Sequence, residues 1–185
     1  MRIISGIHKG RRIQAPKKLP VRPTTDMSKE ALFNILRNLI HISGIKVLEL
    51  FAGSGNMSYE FGSRGAGSIL AVDEHMPCIA FIKKTAELLD LPIEAVKADV
   101  FSFLSNHKGS YDIIFADPPY ALEESQFLGI VDSVMEKRLL NEEGLLIIEH
   151  SKHTDLSSHS SFDNQRKYGG TVFSFFKGEA FSEEE

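Results

Sequence analysis

A chain of 185 residues, 42% hydrophobic and 25% charged, suits one domain with a substantial core, and it holds no apolar run near the roughly 18–20 residues that cross a bilayer. Its single cysteine, Cys78, excludes an internal disulfide framework and a multi-cysteine zinc site. The net charge of −4 is unevenly distributed: Arg2, Lys9, Arg11, Arg12, Lys17, Lys18 and Arg22 all precede the first acid, Asp26, leaving 14 of 21 basic residues against all 25 acids, or −11, in the remainder. The pattern predicts a basic arm on an acidic body, and the lack of a signal-type apolar core in MRIISGIHKGRR predicts a cytoplasmic protein.

RIISGI (2–7) and RRIQA (11–15) flank the polar turn HKG and predict a β-hairpin, followed by a proline-stiffened connection through Pro16, Pro20 and Pro23. From Thr25 the period becomes helical, with Met27, Ala31, Ile35 and Leu39 at four-residue spacing, widened by Leu32 and Leu36, and with Gly44 ending the helical region. Beyond it, strands are predicted at 45–51, 68–72, 93–98, 111–116 and 145–149, with helices at 56–63, 77–89 and 123–137. Such alternation implies right-handed crossovers and a mostly parallel sheet covered by helices on both faces. The final runs, 165–168 and 171–176, are joined by Gly169-Gly170, a two-residue hairpin loop that makes the C-terminal strand antiparallel. Three segments follow: a basic N-terminal hairpin or arm (1–24), an α/β domain (25–178) and an acidic tail (179–185).

In sheets of this kind ligands bind beyond the carboxyl ends of the strands, where strand order reverses. Four strand ends are polar or glycine-rich. VLELFAGSG places Gly53 and Gly55 between a strand and a helix start, where the backbone can turn sharply and approach a ligand; Ser58 stands where a dinucleotide fingerprint needs a third glycine, and read alone the pair is equally a tight turn. Asp73, eighteen residues past Gly55, lies where a carboxylate can accept from a ribose diol, or stands in solvent at a strand end. Asp99, followed by Val100, could accept from an adenine amine, although aspartate is common in turns. Asp117-Pro118-Pro119-Tyr120 halts a strand with two residues that lack an N–H. Asp117 and a rigidly aimed Pro118 carbonyl offer two acceptors for one –NH2, and Tyr120 offers a stacking face. The alternative is a strand terminator beside a packed tyrosine.

ELFAGSG, Asp73, Asp99 and DPPY together resemble the Rossmann-like (class I) S-adenosylmethionine-dependent amino-methyltransferases. MRIISGIHKGRRIQAP, RPTTDMSKEALFNIL and KYGGT narrow the resemblance to the RsmD family of 16S rRNA (guanine-N2)-methyltransferases, over the chain to about Lys177. The resemblance implies a seven-stranded fold and an S-adenosyl-L-methionine site drawn from Glu49, Phe51, Ala52, Gly53, Gly55, Asp73, Glu74, Asp99, Val100 and Asp117. It implies catalysis at Asp117, Pro118, Pro119 and Tyr120, and closure of Thr24, Thr25 and Asp26 over the donor, a segment that equally caps a helix. The substrate it implies is 16S rRNA within the small ribosomal subunit, gripped by Arg2, His8, Lys9, Arg11, Arg12 and Arg22 of the arm, by a monomer without metal or membrane. Glu49 and the stretch Asn56-Met57-Ser58 depart from the family pattern, which has a commoner Asp and small apolar residues there. Phe51 and Phe101 are candidate adenine walls, and the seven histidines show no ligand spacing. DPPY also serves adenine-N6 methylation of DNA; an NAD-dependent oxidoreductase is disfavoured by the missing glycine, and a non-catalytic RNA-binding module would not require DPPY beside an adenosine pocket.

Overall fold

The computed structural model describes residues 1–21 and 25–178. Twelve elements follow one another as α1 (Asp26–Leu39), β1 (Lys46–Leu50), α2 (Asn56–Ser63), β2 (Ser68–Asp73), α3 (Met76–Leu88), β3 (Ile93–Lys97), α4 (Val100–Asn106), β4 (Tyr111–Ala116), α5 (Glu124–Glu136), β5 (Leu140–Ser151), β6 (Phe162–Tyr168) and β7 (Thr171–Lys177). They build one seven-stranded sheet in the order β3-β2-β1-β4-β5-β7-β6, parallel from β3 to β5, with β7 antiparallel to both its neighbours. Gly169, at φ 60°, turns the β6–β7 hairpin.

Alternate residues of the central strands serve two cores. On one face Val47, Ile69, Phe115, Ile147 and Phe173 meet Leu32, Phe33 and Leu36 of α1 and Phe61 of α2, while Ile79 and Ile82 of α3 cover Ala71 and Ala95. On the other, Leu48, Leu50, Ile114 and Ile148 meet Leu104 of α4 and Phe127, Ile130 and Val134 of α5. Each fully buried aliphatic or aromatic side chain contributes about 1.5–3 kcal/mol.

Three expectations change. The buried stripe of α1 runs along Ser28, Lys29, Leu32, Phe33 and Leu36, whereas Met27 and Leu39 are exposed and Ala31 and Ile35 lie at its margin. The N-terminal hairpin contains a single antiparallel bridge, Arg2 to Arg12, because its first limb turns away to bond α2. A helix, α4, occupies a stretch for which no element is predicted, capped by the Asp99 carboxylate accepting from Ser102 N–H at 2.8 Å.

The N-terminal segment is held on the body by a buried charge cluster. The Glu60 carboxylate accepts the backbone N–H groups of Ile4 (2.9 Å) and Ser5 (3.1 Å), pairs with Lys29 Nζ at 3.1 Å and takes Arg64 Nε at 2.8 Å. Lys29 Nζ also donates to Arg2 O (2.6 Å) and Asn56 Oδ1 (2.9 Å), so every proton of the buried ammonium has an acceptor. Burial pulls the Lys29 pKa down while Glu60 opposes the shift.

Candidate active site

Strand order reverses between β1 and β4: the chain adds β2 and β3 on one side of β1, then crosses to place β4 on the other. At that point, beyond the strand ends, a cavity of about 510 Å3 opens. Glu49, Phe51, Ala52 and Gly53 of the first strand end line it, with Asp73 and Glu74 of the second, Asp99 and Val100 of the third, and Asp117, Pro118, Pro119 and Tyr120 of the fourth.

The first turn is made of left-handed residues in quick succession. Phe51 (φ 57°), Gly53 (φ 55°) and Gly55 (φ 82°) all occupy that region, which costs a phenylalanine about 1 kcal/mol or more. The strained turn brings the Phe51 ring to the cavity wall, edge-on to Phe101 with centroids 6.3 Å apart. Gly55 lies behind the wall rather than in it. As N-cap of α2 it is required by its φ and because a Cβ there would lie 2.8 Å from the Tyr59 ring and 2.9 Å from Ile82.

Asp73 is nearly buried and braces the turn. One oxygen accepts from Gly53 N–H at 2.9 Å; the other takes the His75 N–H at 2.9 Å and lies 3.0 Å from His75 Nδ1. His75, also in the cavity wall, went unnoticed in sequence, although an aspartate two residues before it is the signature of an Asx turn. Glu49 is fully buried. Its Oε2 accepts from Ser58 N–H at 2.9 Å and is in close contact with Ser58 Oγ, while Asp117 and Asp73 crowd it with negative charge. Loss of solvation is the largest influence and raises its pKa from 4.5 to about 8. At the fourth strand end, Asp117 is half-buried, Pro118 buried, and Pro119 and Tyr120 exposed.

Among the described residues, none of the cations of the N-terminal segment lines the cavity. Arg2 pairs with Asp26 at 3.3 Å, and His8 shares a 2.7 Å hydrogen bond with Leu89 O. Lys9, Arg11 and Arg12 are exposed; Arg22 and Thr24 lie outside the described residues. Thr25 caps α1 by accepting from Ser28 N–H at 3.1 Å. Pro20 and Val21 reach the cavity, a contact for which the sequence carries no local signal. Among the described residues no group of three or more His, Cys, Asp or Glu is placed to hold a metal ion.

The family model described as Conserved hypothetical protein 95 matches residues 1–177. Ribosomal RNA small subunit methyltransferase D of Escherichia coli K12 is 30% identical over 190 residues, covering 99% of this chain and 92% of that protein. The chain belongs to the RsmD family of methyltransferases. The same-named protein of Buchnera aphidicola (strain APS) is 32% identical over 152 residues, covering 81% of this chain and 78% of its own. Among solved structures, Escherichia coli yhhF superposes with a TM-score of 0.83 at 25% identity, over 98% of this chain and 99% of that one. A Thermus thermophilus 16S rRNA N2 G1207 methyltransferase in complex with AdoMet and guanosine shares the fold, with a TM-score of 0.69 at 18% identity, over 87% of this chain and 45% of that one. Each of the two departures read in sequence has a partner in the structure. The longer Glu49 reaches α2 and meets the donors of Ser58, while Asn56 supplies an acceptor to Lys29.

Proposed function

We propose that this RsmD-family enzyme transfers a methyl group from S-adenosyl-L-methionine to the exocyclic N2 of a guanine in 16S rRNA, within the small subunit or an assembly intermediate. The observation that carries the reading is the opening of the Asp117–Tyr120 corner onto the same cavity as Gly53, Asp73 and Asp99. The presence of guanosine beside AdoMet in the structurally similar Thermus N2 methyltransferase supports the choice of nitrogen.

The cavity suits an adenosine-type methyl donor: carboxylates at Asp73 and Asp99 to accept from a ribose diol and an amine, two phenylalanine edges, and a buried carboxyl at Glu49 near the place for a positive charge. When bound, the donor supplies an electrophilic methyl on a sulfonium. The guanine N2 lone pair is delocalised into the ring, so the chain must localise it. In this reading Asp117 and the Pro118 carbonyl accept its two N–H bonds, favouring a tetrahedral nitrogen, and Tyr120 stacks on the base. The Asp117 carboxylate also provides a place for the departing proton. Orientation supplies up to about 7–11 kcal/mol, more than the roughly 2.7–4 kcal/mol of one charge-stabilising contact. A paired guanine hides N2 against cytosine, so the target lies in a loop or is turned out of its stack.

Transfer of labelled methyl to small ribosomal subunits, followed by mapping of the modified position, tests the reading directly. Duplex DNA labelled in preference to subunits would replace it with adenine methylation. Asp117→Ala is expected to lower turnover at least about 10²-fold with little change in donor affinity.

A further inference from the structure

The KYGGT motif and the outer side of α1 take no part in the cavity, yet they flank a second depression of about 480 Å3 between α1 and β6. Its floor is apolar, formed by Ala31, Ile35 and Leu39, and amides of Asn34, Asn38 and Asn164 stand around it. Arg166 and Tyr168 close the β6 side. None of its lining residues is a carboxylate, although the chain beyond residue 25 carries a balance of −11. Arg166, the cation that lines it, is exposed, donates from Nη1 to Gln165 O at 3.1 Å and, among the described residues, has no carboxylate within ion-pair distance. The neighbouring acid, Asp163, is already tied to Lys177 at 3.1 Å.

We infer that this cleft holds the single-stranded RNA flank of the target guanine. The inference rests on the RNA substrate proposed above and names a second place where this chain grips it. The amides of Asn34 and Asn38 offer donors and acceptors to base edges, Asn164 already giving Nδ2 to Asp163 Oδ2 at 2.6 Å; a tyrosine face accepts a stacked base, and the Arg166 guanidinium takes a phosphate. Placement agrees with that role. β6 lies three strands from β4 in the sheet order, or roughly 14 Å at the usual strand spacing, and ends at Tyr168 on the same end of the sheet as Asp117. The β6–β7 tip is fastened beside the end of β5, where Lys152 N–H donates to Gly170 O at 3.3 Å, and strand alternation turns Asn164, Arg166 and Tyr168 toward α1 while Lys167 faces the other side of the sheet. The N-terminal segment, bonded to α2, stands on the opposite side of α1. RNA held at both places would present its middle to the cavity.

The test uses Arg166→Ala and, separately, Asn34→Ala, both at exposed positions. For methylation of small subunits, KM is expected to rise at least about fivefold with kcat and donor affinity unchanged, the loss of one weak base or phosphate contact being the lower bound. The Arg166→Ala variant should also make log KM less steep in log salt by about 0.7, the loss of one phosphate contact. A photo-crosslinking amino acid at Asn34 should attach to RNA flanking the methylated guanine. An active wild type with unchanged KM and salt slope in the variants, or a crosslink to a ribosomal protein in place of RNA, overturns this inference alone. A wild type that methylates no RNA overturns the substrate reading first and this inference with it.

Discussion

At the level of single residues, Glu49 is the group whose chemistry depends most on burial. It faces Ser58 of α2 as hydrogen-bond donor, the carboxylates of Asp73 and Asp117 across the cavity, and the buried Tyr59 phenol, whose own ionisation burial opposes. With its pKa raised from 4.5 to about 8, the proton binds more tightly in the folded chain than in the unfolded one. Below about pH 4.5 both forms are protonated and the contribution is fully present. As pH climbs toward 8 the unfolded chain ionises while the folded one holds its proton, so stability falls by up to about 1.4 kcal/mol per pH unit, and levels off above. Glu49→Gln keeps a polar group beside Ser58 without titrating. The melting-temperature gain of this variant over wild type should therefore widen by several degrees from about pH 5 to about pH 8; a constant gap would remove the assignment. A cationic donor bound nearby favours the ionised form, so donor binding near neutral pH should release up to one proton, read by calorimetry in two buffers of different ionisation enthalpy.

Elements show which features the sequence could and could not reveal. Two glycines at helices have opposite roles. Gly55 starts α2 at φ 82° with the Tyr59 ring 2.8 Å from any added Cβ, whereas Gly129 sits inside α5 with nothing within 4 Å. Gly129→Ala should stabilise the protein by up to about 1 kcal/mol, roughly 2–4 °C, through helix propensity, and Gly55→Ala should destabilise it by more than that, both measurable by thermal unfolding. The parallel strands were legible because they are short apolar runs bounded by turn residues, and 111–116 coincides with β4. The α1 stripe was misplaced by one ridge because Lys29 and Ser28 read as surface residues. Only Glu60, 31 positions further on, makes a buried ammonium tenable, and no local pattern announces that pairing. α4 has seven residues, too few for a periodic signal, and β5 begins five residues early across an irregularity in its pairing with β4 between Tyr111 and Ile113. The four strand ends around the cavity were legible for a different reason. A doubly wound sheet gathers the residues that follow its strands, so Gly53, Asp73, Asp99 and Asp117 need only their strand positions to meet. Val21 and His75 were not, since one arrives from a distant segment and the other is drawn in by a side chain.

Across the whole molecule, charge is segregated while the segment and the body are bonded to each other. The segment that carries the early cations is bonded to the body through Glu60, Lys29 and Ser63, with Ile7 N–H donating to Ser63 O at 2.8 Å and His8 N–H to Ser63 Oγ at 2.9 Å. Its tip lies at the C-terminal end of α2, about 10 Å down that helix from the glycine turn. Lys9, Arg11, Arg12, Lys17 and Lys18 are exposed and, among the described residues, have no carboxylate in ion-pair range, whereas Arg2 is partly neutralised by Asp26. If these five meet single-stranded RNA phosphates, they add about 3.5 to the steepness of log affinity against log salt, at about 0.7 each. Replacing all five by glutamine should flatten the slope by about that amount and leave the affinity for the methyl donor unchanged. The substitutions are at exposed side chains and spare the Glu60 bonds, which run to backbone N–H groups, so the melting temperature should hold within a few degrees. Salt titrations of wild type and variant that run parallel would show that this face does not hold the RNA.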